Sequence, residues 1–158
     1  GKNQAFFSIG NITFISRVIS GQYPEYNQVL PPKSLFKSKV FINKQRLLES
    51  LERAALLSKE TGRNKGNIVK LQWNDDILTL SSDVPDMGRI KEEMSILLEG
   101  ENIEASYNIK YLTEALKVIE GERVVMHLTG PATPGIIMPD EEENSYLYLV
   151  LPIRINNQ

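Results

Sequence analysis

The chain of 158 residues contains no cysteine. This absence excludes disulfide bonds, thiolate zinc sites and cysteine nucleophiles, and it is typical of proteins from a reducing cytoplasm. Long apolar runs are also missing, since none approaches the roughly 20 residues that a membrane-spanning helix needs. The apolar run from Ala5 to Ile9 is too short for a signal peptide. We therefore expect a cytoplasmic protein that does not enter a membrane.

Histidine is nearly absent, and His127 is its only instance. It lies in the apolar segment from Val124 to Leu128, a pattern typical of a strand, with no Asp, Ser or Cys beside it. A catalytic histidine needs a partner that orients it and a group on which it acts. We interpret His127 as a strand residue and not as a catalytic base.

Two acidic clusters, Asp75-Asp76 and Asp140 to Glu143, are the remaining candidates for chemistry. Neighbouring carboxylates can hold a metal ion for phosphoryl transfer. Both clusters, however, lie between predicted strands, where Asp commonly stabilises a turn. The sequence contains no EF-hand loop, P-loop or dinucleotide-binding fingerprint. We predict no catalytic residue, no metal and no cofactor, and therefore a protein that is not an enzyme.

Positive charge is in short supply as well. The 18 basic residues are outnumbered by 20 acidic residues, so the net charge is −2 and the pI is about 5.5. A protein that binds nucleic acid by simple affinity is normally basic. A role on DNA would therefore require a local basic surface or a topological link between protein and DNA.

Two amphipathic helices are predicted, over residues 44–57 and 109–119, because apolar residues recur there every three or four positions. Asn43 and Asn108 stand just before them and can cap their first turns. Gly121 follows the second helix, where a left-handed residue commonly ends a helix. Together with the strands below, these helices indicate the α+β class.

Strands are predicted wherever β-branched and aromatic residues cluster between turn residues. We expect residues 88–97 and 102–107 to pair with each other. Pro31-Pro32 predicts a domain boundary, because two prolines fit neither a helix nor a central strand. The predicted strands are residues 5–9, 12–19, 39–42, 67–73, 77–81, 88–97, 102–107, 123–128, 135–138 and 145–151.

An internal repeat with an offset of 65 residues relates the two helical regions. It predicts two strand–helix–strand–strand halves within residues 32–154, with both helices side by side on one face of antiparallel sheet. Capped amphipathic helices resemble one another in any case, so the pattern alone leaves the duplication open. Val40-Phe41-Ile42, Asn43, Leu47, Glu49 and Leu51 recur as Ala105-Ser106-Tyr107, Asn108, Leu112, Glu114 and Leu116.

Basic residues lie on the polar faces of both predicted helices, mixed with glutamates. Such a face can present positive charge to a polyanion, although a solvated polar face is the commoner explanation. The candidates for contact with DNA are Lys44, Arg46, Arg53, Lys110 and Lys117.

Two motifs resemble those of the bacterial DNA sliding clamps. The closing segment from Tyr146 to Arg154 resembles the apolar-Pro-apolar-Arg ending of that family, and residues 51–58 and 107–112 fall where the family has helices. The resemblance covers essentially the whole chain up to Arg154. The second motif resembles the family's junction between the second and third clamp domains. It is Ser20-Gly21-Gln22-Tyr23-Pro24-Glu25-Tyr26-Asn27-Gln28-Val29-Leu30-Pro31.

The resemblance implies the DNA clamp fold. Residues 32–154 would form the third domain, residues 1–31 the last strands of the second domain and the junction, and residues 155–158 a tail. The start at Gly1 instead of Met indicates a fragment or a processed chain. In this family two subunits close head-to-tail into a ring around duplex DNA and hold the replicative polymerase on its template. An encircling protein can be acidic overall, because topology retains it.

The resemblance also implies a groove that binds linear motifs of the polymerase catalytic subunit, the clamp loader and repair proteins. Gln28 departs from the arginine of some members, and Pro134 departs from a small polar residue. The positions that match the groove are Pro24, Gln28, Val29, Asn108, Tyr111, Ala132, Pro134, Leu149, Leu151, Pro152, Ile153 and Arg154.

The head-to-tail homodimer interface implied by the family would use the end of the first helix and an edge strand. Leu56 and Leu57 are adjacent, so both cannot face one core, and at least one of them favours an interface. The strand positions are Asp86, Arg89 and Glu92.

Two other functions remain open on the sequence. One is an α+β peptide-binding module that does not encircle DNA, and the other is a phosphoryl-transfer enzyme that uses the acidic clusters.

Overall fold

The computed structural model describes residues 3–23, 25–59, 67–84, 88–140 and 146–154. Two short 3-10 helices, Tyr26–Gln28 and Lys33–Leu35, precede the main body. The α-helices are α1 (Lys44–Lys59) and α2 (Ile109–Val118). The strands are β1 (Gln4–Ile9), β2 (Ile12–Arg17), β3 (Ser38–Asn43), β4 (Ile68–Asn74), β5 (Ile77–Val84), β6 (Gly88–Ser95), β7 (Leu97–Gly100), β8 (Ile103–Asn108), β9 (Arg123–Leu128), β10 (Gly135–Pro139) and β11 (Tyr148–Val150).

The described strands form three antiparallel sheets. Strands β1 and β2 make a hairpin of their own. The second sheet has the order β6-β5-β4-β8, and the third has the order β11-β10-β9-β3-β7. The α+β class and the two halves are therefore confirmed. The helices pack on both of the larger sheets.

The two halves exchange their first strands. Strand β3 begins the first half but pairs along its full length with β9 of the second half, from Ser38 opposite Leu128 to Asn43 opposite Arg123. Strand β8 begins the second half and pairs with β4 of the first. Each sheet thus contains strands from both halves, so neither half can complete its sheet alone.

The core lies between the helices and the two larger sheets. Leu47, Leu51 and Ala54 of α1 are buried in it, and so are Leu112 and Leu116 of α2. Burying one leucine side chain contributes about 2 kcal/mol to folding. The apolar faces predicted for both helices are thereby confirmed.

Asparagine caps both helices, as predicted. The Oδ1 atom of Asn43 accepts a hydrogen bond from the backbone N–H of Arg46 at 2.9 Å, and Asn108 accepts one from Lys110 at 2.9 Å. Gly121 follows α2 with a φ of +88°, which a glycine adopts without strain. The two caps stand at equivalent positions of the repeat, although Asn43 bonds to the third residue after it and Asn108 to the second.

One predicted pairing is wrong. Residues 88–97 and 102–107 do not pair, because β6 and β8 lie at opposite edges of the same sheet. Between them β7 crosses to the other sheet and pairs with β3. Apolar alternation identified these strands but carries no information about their partners.

No helix within the described ranges is long and apolar enough to span a membrane.

Candidate functional site

The last segment of the chain, residues 151–154, lies beside the start of α2. After β11 ends at Val150, the backbone N–H of Ile153 donates to the carbonyl oxygen of Ser106 in β8, at 2.7 Å. Two residues after Ser106, Asn108 caps α2. The C-terminal segment and the N-terminus of α2 therefore lie close together.

Tyr148 packs the end of the chain against α2. Burial is the main cause that raises the pKa of Tyr148, and Glu114, Tyr146 and Tyr111 add to it. Glu114 and Tyr111 belong to α2, so β11 and this helix are close neighbours. Burial also raises the pKa of Tyr107, whose ring stands in the core beneath them.

The loop before β10 adjoins the same segment. Gly135 stands opposite Val150, so the antiparallel register places Pro134 next to Leu151. A Cβ atom on Gly135 would lie 3.2 Å from the Tyr107 hydroxyl oxygen. The absence of a side chain there permits this close packing beneath the end of the chain.

Apolar side chains at this place remain accessible. Leu151 is 63% exposed and Tyr111 is 51% exposed, although both are large. Exposed apolar groups that cluster beside polar ones are typical of a binding surface. The structure groups eight of the predicted groove residues, namely Asn108, Tyr111, Pro134, Leu149, Leu151, Pro152, Ile153 and Arg154.

The other predicted groove residues are less closely tied to this cluster. Ala132 is exposed in the loop before β10. Gln28 and Val29 are exposed in a segment whose backbone hydrogen bonds are local, from Gln28 to Glu25 and from Val29 to Tyr26. Pro24 lies outside the described residues.

The basic residues predicted to face DNA lie on α1 and α2, which are neighbours. A cleft of about 750 Å³ separates the exposed faces of the helices. Lys44 at the start of α1 donates to the carbonyl oxygen of Ile119 at the end of α2, at 2.8 Å. Lys117 of α2 pairs with Glu52 of α1 at 2.9 Å. The helices are therefore antiparallel and are joined by polar contacts.

Arg53 and Glu92 form one ion pair that joins α1 to β6. The guanidinium group donates to both carboxylate oxygens, at 2.7 and 2.6 Å, and the Ser50 hydroxyl donates to the same carboxylate at 2.6 Å. The hydrogen bond from Arg53 is the main cause that lowers the pKa of Glu92, against the opposing effect of burial. Sequence reasoning assigned these two residues to different surfaces and missed their contact.

The predicted interface residues lie at the end of α1 and along β6. Leu56 is 62% exposed and Leu57 is partly buried. Strand β6 is an edge strand, on which Arg89 pairs with Asp83 at 2.6 Å. Asp86 lies outside the described residues.

The candidates for catalysis take part in structural contacts. Asp75 adopts a φ of +50° in the turn between β4 and β5, and Asp140 pairs with Arg123 at 2.5 Å. His127 stacks on Phe36, with ring centroids 4.7 Å apart. Among the residues that the structure describes, no three His, Asp or Glu side chains are grouped to hold a metal. Residues 141–143 lie outside those ranges.

Comparison with known proteins identifies relatives along nearly the whole chain. The family described as "DNA polymerase III beta subunit, C-terminal domain" matches residues 27–154. The beta sliding clamp of Staphylococcus epidermidis is 37% identical over 153 residues, which are 96% of this chain and 39% of that protein.

Solved structures give the same result. The DNA polymerase sliding clamp from Bacillus subtilis is 32% identical with a TM-score of 0.87, over 98% of this chain and 40% of that one. The DNA polymerase III beta chain from Streptococcus pneumoniae is 29% identical with a TM-score of 0.88 and the same coverage. The chain thus spans about two fifths of the length of its relatives. The chain belongs to the family of the DNA polymerase III beta subunit, whose C-terminal domain matches residues 27–154.

Proposed function

We propose that this chain is the C-terminal part of a processivity clamp that encircles duplex DNA and carries the replicative polymerase, without catalytic activity of its own. The observation that carries the proposal is the side-by-side placement of α1 and α2, whose exposed faces bear the basic residues. Both larger sheets lie behind these helices and interlock. The two helices can therefore face DNA while the sheets support them from behind.

The overall acidity agrees with a topological role. A net charge of −2 gives little general attraction to a polyanion. A ring that is linked around DNA does not need such attraction to stay bound. Weak attraction also favours sliding, because each phosphate contact that must break slows movement along the duplex.

We assign residues 32–154 to the third clamp domain and residues 1–31 to the last strands of the second domain and the junction. Supporting this, β1 and β2 expose apolar side chains on both faces, including Phe6, Phe7 and Phe14. Within the described residues the hairpin pairs only with itself. A hairpin of this kind gains stability when other strands cover it. The proposed tail, residues 155–158, lies outside the described ranges.

The cluster around Leu151 and Tyr111 is proposed as the groove for linear motifs of the polymerase catalytic subunit, the clamp loader and repair proteins. Its exposed apolar groups can accept one or two anchor side chains, and Arg154 can guide a polar or acidic group. Gln28 and Val29 would contribute to the groove from the junction segment, while its other wall would come from a part of the second domain that this chain lacks.

A head-to-tail homodimer is proposed through Leu56 and the outer edge of β6, which pairs with no other strand that the structure describes. An exposed leucine and such a strand edge are surfaces that a second subunit can cover. Arg89 would lie in this interface, while the carboxylate of Glu92 is turned inward to Arg53.

The proposal is tested by loading the full-length subunit that carries this segment onto nicked circular DNA and then cutting the circle. A clamp remains on the intact circle through gel filtration and is released when the circle is linearised. An uncut circle treated in parallel is the control. Retention on the linear product would contradict encirclement and would favour a peptide-binding module that binds DNA, if at all, by affinity.

Phosphoryl transfer is the second alternative, and the structure gives it little support. Asp75 and Asp140 stand in turns of different sheets and have structural contacts. Nuclease activity that copurifies with the chain and disappears in the Asp75→Ala, Asp140→Ala double variant would overturn the non-catalytic assignment.

A further inference from the structure

The five basic residues on α1 and α2 differ in how firmly other groups of the chain hold them. Lys44 is bonded to the carbonyl oxygen of Ile119, which is one of the carbonyls left unpaired where α2 ends. This hydrogen bond is partly buried. Lys44 therefore ties the start of α1 to the end of α2.

Arg53 and Lys117 are held by carboxylates. Arg53 makes two parallel hydrogen bonds to Glu92, the geometry in which a guanidinium binds a carboxylate most strongly. Lys117 reaches across the cleft to Glu52 at 2.9 Å. Either residue would have to give up a charged partner before it could neutralise a phosphate.

Arg46 lies in a different environment. It is exposed, and it forms no ion pair with any residue that the structure describes. The three carboxylates that line a small pocket together with Arg46 have other partners: Glu49 accepts from Gln45, Glu92 from Arg53, and Glu93 pairs with Lys91. The charge of Arg46 is therefore available to an outside anion.

Lys110 is nearly as accessible. Its ammonium group is 3.7 Å from Glu114, beyond hydrogen-bond range, and its side chain is 69% exposed. An exposed pair at this separation contributes little and separates readily. Lys110 also lines the cleft between the two helices.

We propose that Arg46 and Lys110 make the contacts of this chain with the phosphates of duplex DNA, whereas Lys44, Arg53 and Lys117 are positioning residues for the helices. The assignment rests on the proposed clamp function, since it takes the exposed faces of α1 and α2 to meet DNA. It predicts a wall with two effective phosphate contacts where the sequence offers five cations.

The number of these phosphate contacts can be measured from the salt dependence of the DNA-binding constant. Each neutralised phosphate of duplex DNA contributes about 0.9 to the slope of log K against log salt concentration. The 158-residue chain would be titrated against a short fluorescein-labelled duplex at several low salt concentrations, with fluorescence anisotropy as the signal. We expect a slope of about −1.8.

Two variants with equal changes in charge separate the two groups of cations. Arg46→Gln with Lys110→Gln is expected to bring the slope close to zero. Arg53→Gln with Lys117→Gln removes the same charge from the same helices and is expected to leave the slope unchanged. Circular dichroism would verify that both variants are folded.

A third variant is expected to gain a phosphate contact. Its result therefore does not depend on whether the Arg53→Gln, Lys117→Gln variant folds stably. Glu52→Gln releases Lys117 from its surface pair, so the slope should steepen by about 0.9. Glu104→Gln is its control, because it changes the net charge equally but releases Lys70 on the far face of the four-stranded sheet. The Glu104→Gln variant should therefore show the same slope as the unmodified chain.

Three results would overturn the assignment: no binding by the unmodified chain at low salt, equal losses in the two double variants, or equal slopes for Glu52→Gln and Glu104→Gln. The linearisation assay is independent of all three. A ring could be released from cut DNA while these slopes fail, and the slopes could hold in a protein that does not encircle DNA.

Discussion

Strand β7 and residues 151–154 occupy matching positions in the two halves but are held very differently. Strand β7 lies beside β3, the first strand of its half, with Leu97 to Gly100 in regular register against Ser38 to Phe41. Residues 151–154 lie beside β8, the first strand of the other half, where Ile153 donates to Ser106. Phe41 and Ser106 are themselves related by the offset of 65 residues.

Proline explains part of this difference. Pro152 has no backbone N–H and cannot donate to a ladder on β8, whereas no residue of β7 is a proline. The C-terminal segment therefore stays near β8 without becoming a strand, and Leu151 keeps 63% of its surface exposed. One copy of the unit completes a sheet at this position, and the other leaves apolar side chains exposed, where we propose that a peptide binds.

The largest loss of folding stability is expected from a substitution where β7 meets the segment before β3. Gly100 has a φ of +115°, and a Cβ atom there would overlap the carbonyl oxygen of Lys37. Gly100→Ala should lower the free energy of unfolding by about 4 kcal/mol, because backbone must move to make room. Urea denaturation followed by circular dichroism measures the loss.

Gly121 provides the matched control in the second half. Its φ is +88°, but a Cβ atom would meet nothing within 4 Å. Gly121→Ala should therefore cost only the conformational strain, about 1 kcal/mol. Similar losses for the two variants would show that β7 is not held as tightly as its register indicates.

Core substitutions at equivalent positions test whether the two halves contribute equally. Leu51 of α1 and Leu116 of α2 are related by the repeat and are both fully buried. We expect Leu51→Ala and Leu116→Ala each to cost about 3 kcal/mol in urea denaturation, from lost burial and the cavity left behind. A difference above about 2 kcal/mol would mean that one helix is held mainly by other contacts.

The sequence predicted the helices and their caps because these depend on residues a few positions apart, and it predicted the repeat because the same local pattern recurs 65 residues later. The stripe that includes Leu47 and Leu51 and the caps at Asn43 and Asn108 are local signals. The partner of β7 could not be predicted, since Leu97 and Phe41 are far apart in the chain and alternation does not name a partner.

For the candidate site, the family resemblance predicted the residues, and their role in binding stays a prediction. The family motif named Asn108, Tyr111 and Leu151, and the structure places them near one another. The sequence could not reveal that Arg53 is bonded to Glu92. The two residues are 39 positions apart, and arginine and glutamate are both common on solvated faces. Contacts of this kind depend on how helix and sheet pack.

Peptide binding distinguishes the two matching segments directly. Leu151→Lys should weaken binding of a short peptide rich in glutamine and leucine by about 2 kcal/mol, as expected for loss of an anchor contact. Tyr111→Ala should act in the same direction. Isothermal titration calorimetry measures both.

Leu97→Lys is the matched control for this experiment. Leu97 is also about half exposed, but it lies on β7, in the half that does not contain the proposed groove. The substitution should leave peptide binding unchanged. An equal loss for Leu97→Lys and Leu151→Lys, or no loss for either Leu151→Lys or Tyr111→Ala, would remove the C-terminal segment from the proposed groove.

The smallest effect on stability concerns the ion pair between Arg53 and Glu92 in the first half. Because Arg53 lowers the pKa of Glu92 below its ordinary value of 4.5, the pair stabilises the folded state above that pH. The contribution is lost as the pH falls through the lowered pKa of the folded protein. Glu92→Gln should therefore destabilise the chain at neutral pH, by less than the core substitutions, and the difference should vanish in acid.

Glu93 supplies the control for this pH dependence, since it is the next residue on β6 and forms an exposed pair with Lys91. Glu93→Gln should change stability little at any pH, because exposed pairs are screened by solvent. Urea denaturation across the acidic range compares the two variants with the unmodified chain. If the deficit of Glu92→Gln stayed constant or grew as the pH fell, the Arg53–Glu92 pair would not be what fastens α1 to β6.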